Sequence, residues 1–359
     1  IAVFVSSAGI IYSTKQSVLE WIDSYVRGDI IVTSGHPIAT TGSQNIPMPA
    51  DLWKDIETVP GVLSADPFRK IYIDYQGRRI LLLVLDIERR IRYSPFKVAQ
   101  GKREDMARLM PHQNTIAVNE AVASQERVKP GDTMVLPTPE GPVAFTVAVI
   151  NVDYSSDSGS ILMDLHTYQR YWKEHLADSF SIRVKSKEQV GAVRDEIARR
   201  FGNDRELFVL PAKEFKDEIR KVIDQGFAVN HAINIITMLI ACLGIIVTLL
   251  ASVLERTREI GILRSIGMLR SQVSRVVVIE SMLLGVIGGA LGAGTGVVIG
   301  WMSLEGFLKG DYGASMQYHV SYDSIVWALL ISTLLAAVAG LYPARRAAKT
   351  NITEALSYE

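Results

Sequence analysis

The residues best placed to do chemistry sit in one short charged stretch, Leu254-Glu-Arg-Thr-Arg-Glu-Ile-Gly-Ile-Leu-Arg-Ser-Ile-Gly-Met268, which runs on to Arg275. Its acids and bases alternate. Glu255 and Arg258, and Arg256 and Glu259, have the three-residue spacing of local helical ion pairs, each worth only about 0.3 kcal/mol. Such a segment suits electrostatic docking rather than bond making. Catalytic patterns are absent elsewhere: there is no Gly-x-x-x-x-Gly-Lys phosphate loop, no His-Glu-x-x-His metal helix and no Gly-x-Ser-x-Gly elbow. His36, His112, His166, His175, His231 and His319 are scattered without ligand spacing, and the serines of 155–160 read as a loop. Cys242 is the single cysteine and lies in an apolar run, so no disulfide or Cys-based metal cluster is available within the chain. The chain reads as no enzyme, with no metal and no cofactor of its own.

The charged stretch is pinned between two apolar runs, and the chain around it is made of two materials. From Phe227 onward there are 9 Lys/Arg and 8 Asp/Glu, while residues 1–226 hold the other 29 basic and 30 acidic side chains. The formal net charge is zero, which gives no electrostatic case for a nucleic-acid partner. From Gly226 to Leu254 there is no Asp, Glu, Lys or Arg, and a helix of that length reaches about 43 Å, beyond the roughly 30 Å of a hydrocarbon core, so residues 227–254 read as a span. Residues 276–304, interrupted only by Glu280, and residues 324–343, closed by Pro343, read as two more spans. The opening Ile1-Ala-Val-Phe-Val-Ser-Ser-Ala-Gly-Ile-Ile11 has no basic lead and covers about half a bilayer, so residues 1–12 read as the outer end of a further, truncated span. That makes four transmembrane helices.

Basic residues set the orientation. Arg256, Arg258, Arg264, Arg270 and Arg275 lie in the 255–275 hairpin and Arg345, Arg346 and Lys349 in the 344–359 tail, against Lys309 alone in the 305–323 loop. The hairpin and tail therefore face the cytoplasm, and residues 13–210 lie outside as an α+β domain. In that domain a helix from Ser13 to Val26 stops at Gly28, and strands near 30–33, 62–75 and 79–86 follow, the last two turned at Gln76-Gly77. Further strands and helices alternate to Leu210. The charged run Glu88–Arg92 reads as a solvated loop or helix face. At Pro211 a helix starts whose polar first part, 211–226, forms a stalk leading into the 227–254 span.

Gly285, Gly288, Gly289, Gly292, Gly296 and Gly300 give several four-residue glycine spacings that let helix backbones approach in lipid. They fit packing within the chain, a dimer interface or a sliding surface. Glu280 must face protein, water or a cation such as Arg275 or Arg346, and reads as an anchor near the membrane interface rather than an ion carrier. Ile262, Ile266, Leu269 and Val273 fall on one helical stripe and form a dry face on the hairpin.

Three ordered motifs carry a resemblance. Glu255-Arg-Thr-Arg-Glu-Ile-Gly-Ile-Leu-Arg-Ser-Ile-Gly267, Glu280 before the glycine-rich span, and Ala339-Gly-Leu-Tyr-Pro-Ala-Arg-Arg-Ala-Ala348 with the closing Glu354-Ala-Leu-Ser-Tyr-Glu359 are similar to the FtsX-like permease domain of ABC transporters of the MacB, LolC/LolE and FtsX kind. Val128-Lys-Pro-Gly-Asp-Thr and Gly159-Ser-Ile-Leu-Met-Asp164 more loosely resemble the MacB-type periplasmic domain. The resemblance implies a multi-pass permease of the bacterial inner membrane whose ATP and Mg are bound by a separate cytoplasmic ABC ATPase. It implies that Glu255, Arg256, Arg258, Glu259, Gly261 and Arg264 dock on that ATPase. A second permease copy or half, membrane lipid, and a lipoprotein, lipid or other extracytoplasmic protein are the implied partners. The start of the chain is similar to the second half of long duplicated permeases. The expected function is ATP-driven export or extraction of a lipid-linked or amphiphilic substrate, the alternative a non-transporting mechanotransmitter that regulates a cell-wall hydrolase or a sensor.

Overall fold

A computed structural model of the chain describes residues 1–34, 46–156, 158–202, 207–308 and 318–349. The closing Glu354–Glu359 motif, residues 35–45 and residues 309–317 of the 305–323 connection lie outside the described residues. The chain divides into two compact bodies, one built on Lys15–Asp224 and the other on Ile1–Thr14, Gln225–Gly306 and the C-terminal segment.

The first body is a large mixed sheet with helices on both faces. Its strands are β1 (Ile30–Thr33), β2 (Met48–Pro49), β3 (Val62–Tyr75), β4 (Arg78–Leu85), β5 (Val98–Gln100), β6 (Thr115–Asn119), β7 (Thr133–Thr138), β8 (Gly141–Asn151), β9 (Ser160–Asp164), β10 (Leu176–Ala177), β11 (Ser179–Val184) and β12 (Phe208–Pro211). Ten of them form one sheet in the order β12-β1-β11-β3-β4-β9-β6-β8-β5, with β7 on β8, and β2 pairs with β10 apart. Only β4 with β9 and β6 with β8 run parallel among these pairs.

Strand β4 explains the layering. Its run Ile80-Leu-Leu-Leu-Val-Leu85 is buried throughout, because Ile80, Leu82 and Val84 point into one apolar cluster and Leu81, Leu83 and Leu85 into another. A strand covered on both faces reads as a continuous apolar run rather than an alternating one. Each buried Leu or Ile removes enough surface from water to contribute roughly 1.5–3 kcal/mol. The β3–β4 turn at Gln76-Gly77 has positive φ at both residues, 49° and 79°, the two-residue turn whose twist matches its strands.

The chain opens with helix α1 (Ala2–Tyr25), and the sheet body adds α2 (Leu52–Glu57), α3 (Ile87–Arg90), α4 (Arg103–Leu109), α5 (Glu120–Glu126), α6 (Leu165–Trp172), α7 (Val190–Ile197) and α8 (Ala212–Gly226). Helices α5 and α6 cover one face through Val122, Leu165 and Tyr168, while α3 and α4 cover the other through Ile87 and Met106. Asn119 and Asp164 cap α5 and α6 by accepting from the N–H groups of Val122 and His166, which satisfies donors a helix start leaves open.

The second body holds α9 (Ala228–Glu255), α10 (Thr257–Ser265), α11 (Arg270–Met302) and α12 (Tyr322–Lys349). Three helical stretches are long and apolar enough to cross a membrane, Ala212–Glu255, Arg270–Gly306 and Tyr322–Ala348, each holding an 18-residue window whose mean hydropathy is 2.6, 2.0 and 2.2 respectively. The expected count of four is not reached among the described residues. Residues 1–12, expected as the outer end of a further span, form the start of α1, which is not among these three stretches.

Pro343 does not close its helix, as α12 continues through it to Lys349. Proline removes one backbone donor and crowds the preceding turn. Ala344 and Ala347, both fully buried against Val273 and Val277, hold the helix together beyond it.

Candidate functional site

Helix α9 ends at Glu255, and Arg256 leaves helical geometry at φ −97°, ψ 15° before α10 begins at Thr257. Arg258, Glu259, Gly261 and Arg264 all lie on this nine-residue helix. Glu259 sits in its first turn and Arg264 in its last, each where the helix dipole favours that charge. Arg258 and Glu259 are exposed, and Arg264 is half-buried.

Glu280 on α11 meets a cation, as expected of it, in Arg256, with Nη1 to Oε1 at 3.4 Å. The hairpin folds the end of α9 back beside α11, which brings together residues 24 positions apart. Both side chains are partly exposed, so the pair is worth about 0–1 kcal/mol. Its consequence is positional, since it ties the break after α9 to the base of α11.

Gly267 explains the second glycine of the hairpin. The N–H of Met268 donates to the carbonyl of Leu263 at 3.1 Å and the N–H of Gly267 to that of Arg264 at 3.2 Å, the paired bonds of a Schellman turn. The turn needs positive φ, and Gly267 has 109°. Helix α11 then starts at Arg270, with Gln272 Oε1 accepting from the N–H of Leu269 at 2.8 Å.

This turn overturns the expected dry stripe. Val273 is buried, but Ile262, Ile266 and Leu269 are 46%, 77% and 63% exposed. The helical period does not run through the Schellman turn, so residues before and after it do not share a face. Ile260 and Met268 pack inward instead, against the Val273, Val277, Ala344 and Ala347 cluster. The hairpin therefore presents apolar side chains outward beside its charged ones.

The glycines of α11 divide by neighbour. A side chain at Gly285 would meet Ala336 at 2.7 Å and the Ser332 carbonyl at 2.9 Å, and one at Gly289 would strike the Ser332 hydroxyl, so both lie against α12. Gly292 and Gly296 lie against Ile1, Ala2 and Val5 of α1, and Gly300 against Tyr318. Gly288 has nothing within 4 Å. One turn further along the α11–α12 seam, Gly340 of α12 meets Ser281, whose hydroxyl donates to the Val277 carbonyl at 2.7 Å. Such small-residue contacts are how helices gain dispersion contact where no water drives them together.

In the sheet body the two stalk helices leave from neighbouring strands. β1, which follows α1, pairs with β12, which precedes α8, and the N–H of Ala212 donates to the Asp29 carbonyl at 2.8 Å. Lys15–Asp224 at 2.6 Å and Lys216–Asp23 at 2.5 Å then join α1 to α8 at both ends of an antiparallel pair. Arg90, buried in α3, donates to the carbonyl of Tyr25 at the end of α1. Trp21 meets Tyr154 edge-on at 6.1 Å, and Asn151 donates to the Tyr25 hydroxyl at 3.3 Å. Sequence reasoning missed these groups, since each contact joins residues far apart in the chain.

Burial pushes the Asp153 carboxyl above its ordinary range, although the Ser155 and Ser160 hydroxyls donate to it and oppose the shift. A raised folded-state value means that the folded body holds this proton more tightly than the unfolded chain. Its stabilising contribution is complete below the unfolded carboxylate range and is lost as pH rises through the folded value. Thermal melting of wild type and Asp153→Asn is therefore expected to diverge in favour of wild type as pH falls from 7 towards 4. A difference between them that does not change with pH contradicts this assignment.

Residues 232–352 match the FtsX-like permease C-terminal family. That stretch, the last third of the chain, is an FtsX-like permease C-terminal domain. The chain is similar to the uncharacterized ABC transporter permease protein Rv0987 of Mycobacterium tuberculosis (strain ATCC 25618 / H37Rv), with 25% identity over 97% of this chain and 41% of that protein. Similarity to the macrolide export ATP-binding/permease protein MacB of Vibrio parahaemolyticus is 26% identity over 99% of this chain and 56% of that protein. The chain thus spans about half the length of these curated relatives. Among solved structures, the periplasmic region of MacB from Actinobacillus actinomycetemcomitans covers 56% of this chain and 97% of its own, at 13% identity and a TM-score of 0.38. The FtsX-like permease domain contains α10, the Arg256–Glu280 pair and the α11–α12 seam.

Proposed function

We propose that this FtsX-like permease converts ATP hydrolysis by a cytoplasmic ABC ATPase into movement of its sheet body on the outer side of a bacterial inner membrane. The observation that carries this is the hairpin. Charged Arg258 and Glu259 stand beside uncovered Ile262 and Ile266 on one short helix, and a core of exposed apolar anchors rimmed by charge is how protein interfaces gain affinity and register. ATP and Mg belong to the ATPase, in keeping with relatives that combine ATP-binding and permease parts in one protein.

Glu255, Arg256, Arg258, Glu259, Gly261 and Arg264 form the docking segment, with Glu280 holding its root through Arg256. Movement then has two covalent routes outward, α1 and the α9–α8 helices. Both end on hydrogen-bonded neighbours in the sheet, β1 and β12, so the sheet body receives them as one joint. A second permease copy or half completes the assembly, and the work done outside is export or extraction of a lipid-linked or amphiphilic substrate.

Charge reversal tests the docking role. In the assembled complex, Glu259→Arg together with Arg264→Glu is expected to lower substrate-stimulated ATP hydrolysis about tenfold or more, as loss of about 1.4 kcal/mol of coupling implies, with membrane insertion intact. Unchanged stimulation in the inserted double variant refutes it.

A further inference from the structure

The charged run Glu88–Arg92 is a solvated face only at Glu88 and Arg92. Arg90 is buried and Arg89 half-buried, and the run forms one wall of an open cleft of about 590 Å³ in the sheet body. Arg89, Arg92, Arg183 and Tyr93 line it together with Asp86 and Glu88. Three guanidinium groups thus converge where two carboxylates lie.

The carboxylates are already occupied. Asp86 accepts from the N–H of Arg89 at 2.9 Å as the cap of α3. Glu88 faces Arg92 at 3.6 Å, and both are well exposed, so water screens that pair and it exchanges readily. Arg89 is held by Glu57 and by Asp66, the latter at 3.4 Å. Arg183 differs. Among the described residues it has no carboxylate partner, and its guanidinium lies 3.8 Å from the centroid of the Tyr93 ring.

Two features fix that cation over the cleft. The β3–β11 ladder shifts register between Arg183 and Val184, and such a bulge re-aims the side chain it carries. The Tyr93 hydroxyl donates to Asp66, which holds the ring on which Arg183 stacks. A stacked guanidinium keeps its N–H edge free for a planar or tetrahedral oxyanion.

We propose that this cleft binds a carboxylate- or phosphate-bearing ligand, with Arg183 and Arg92 as its direct contacts. Occupancy reaches the stalk through α3, because Arg89 faces the cleft while the next residue, Arg90, donates to the end of α1. The site stands independently of the ATPase docking described above.

The test is thermal melting of the full chain in detergent, with inorganic phosphate or succinate as probes and chloride at equal ionic strength as control. Wild type is expected to show a saturable rise in melting temperature with an apparent dissociation constant of about 1 mM, and Arg92→Gln/Arg183→Gln a constant weaker by about tenfold or more. If the double variant fails to fold, Arg92→Gln alone, at a well-exposed position, must weaken binding. A response to phosphate alone assigns a phosphate source, and one to succinate alone a carboxylate source. No rise above chloride for either probe, or an equal rise in wild type and variant, overturns the proposal.

Discussion

Arg90→Met is expected to cost the sheet body about 1–3 kcal/mol, the range for leaving a buried hydrogen-bonding group unpaired, because it strips the Tyr25 carbonyl of its donor. Arg90 is 5% exposed and Asp66 only 1%, and burial, the first cause, lowers the Arg90 pKa while Asp66 acts against that shift. Without the guanidinium, Asp66 keeps the Tyr93 hydroxyl and Arg89, whose Nε lies 3.4 Å away, but loses the favourable field of a second buried cation, and the carbonyl of Tyr25 loses its cation at the end of α1. Chemical denaturation followed by the sheet signal measures the loss. Adding Asp66→Asn should recover part of it, because residues in one network do not add. Equal and additive costs would show that the two groups do not share an interaction.

The second large effect lies in the α11–α12 seam. Gly285→Leu must push against the Ser332 carbonyl and the Ala336 methyl, both within 3 Å of the first added carbon, and backbone cannot yield as a flexible side chain does. Overpacking of this kind costs about 1–3 kcal/mol and more where the backbone must move. Reduced accumulation in membranes and a lower melting temperature in detergent are the expected results. Gly288→Leu, three residues along the same helix, is the control, since nothing lies within 4 Å of it. If both substitutions behave alike, the seam is not where these helices are held.

What could be read from the sequence follows what is local. Gln76-Gly77 announced its hairpin because a two-residue turn with positive φ leaves few residue choices, and Gly267 marks a helix end for the same reason. The contrast in charge on either side of Phe227 made the apolar helices visible, because bilayer length and composition are properties of one segment. The dry stripe of Ile262, Ile266, Leu269 and Val273 failed because a helical wheel was carried through a turn. Arg90 stayed hidden because α3 is only four residues long, too short for any period to separate a buried arginine from a solvated one.

The stalk joint was out of reach for another reason. Nothing near Lys15 indicates Asp224, and nothing near Ile30 indicates Pro211, yet these pairings fix where both helices enter the sheet. Exposed pairs such as Lys15–Asp224 contribute about 0–1 kcal/mol each, so they set direction more than stability. The backbone ladder between β1 and β12 bears the load.

Contact between the hairpin and an ATPase can be measured directly. A photo-crosslinking residue placed at Ile266, which is 77% exposed on the hairpin, should form an adduct with the ATP-binding protein in intact membranes, whereas one at Leu291, 68% exposed on the apolar span, should not. The same adduct should weaken with Glu259→Arg/Arg264→Glu. Absence of any adduct from Ile262, Ile266 or Leu269, with the ATPase captured from another segment of the chain, would contradict the account.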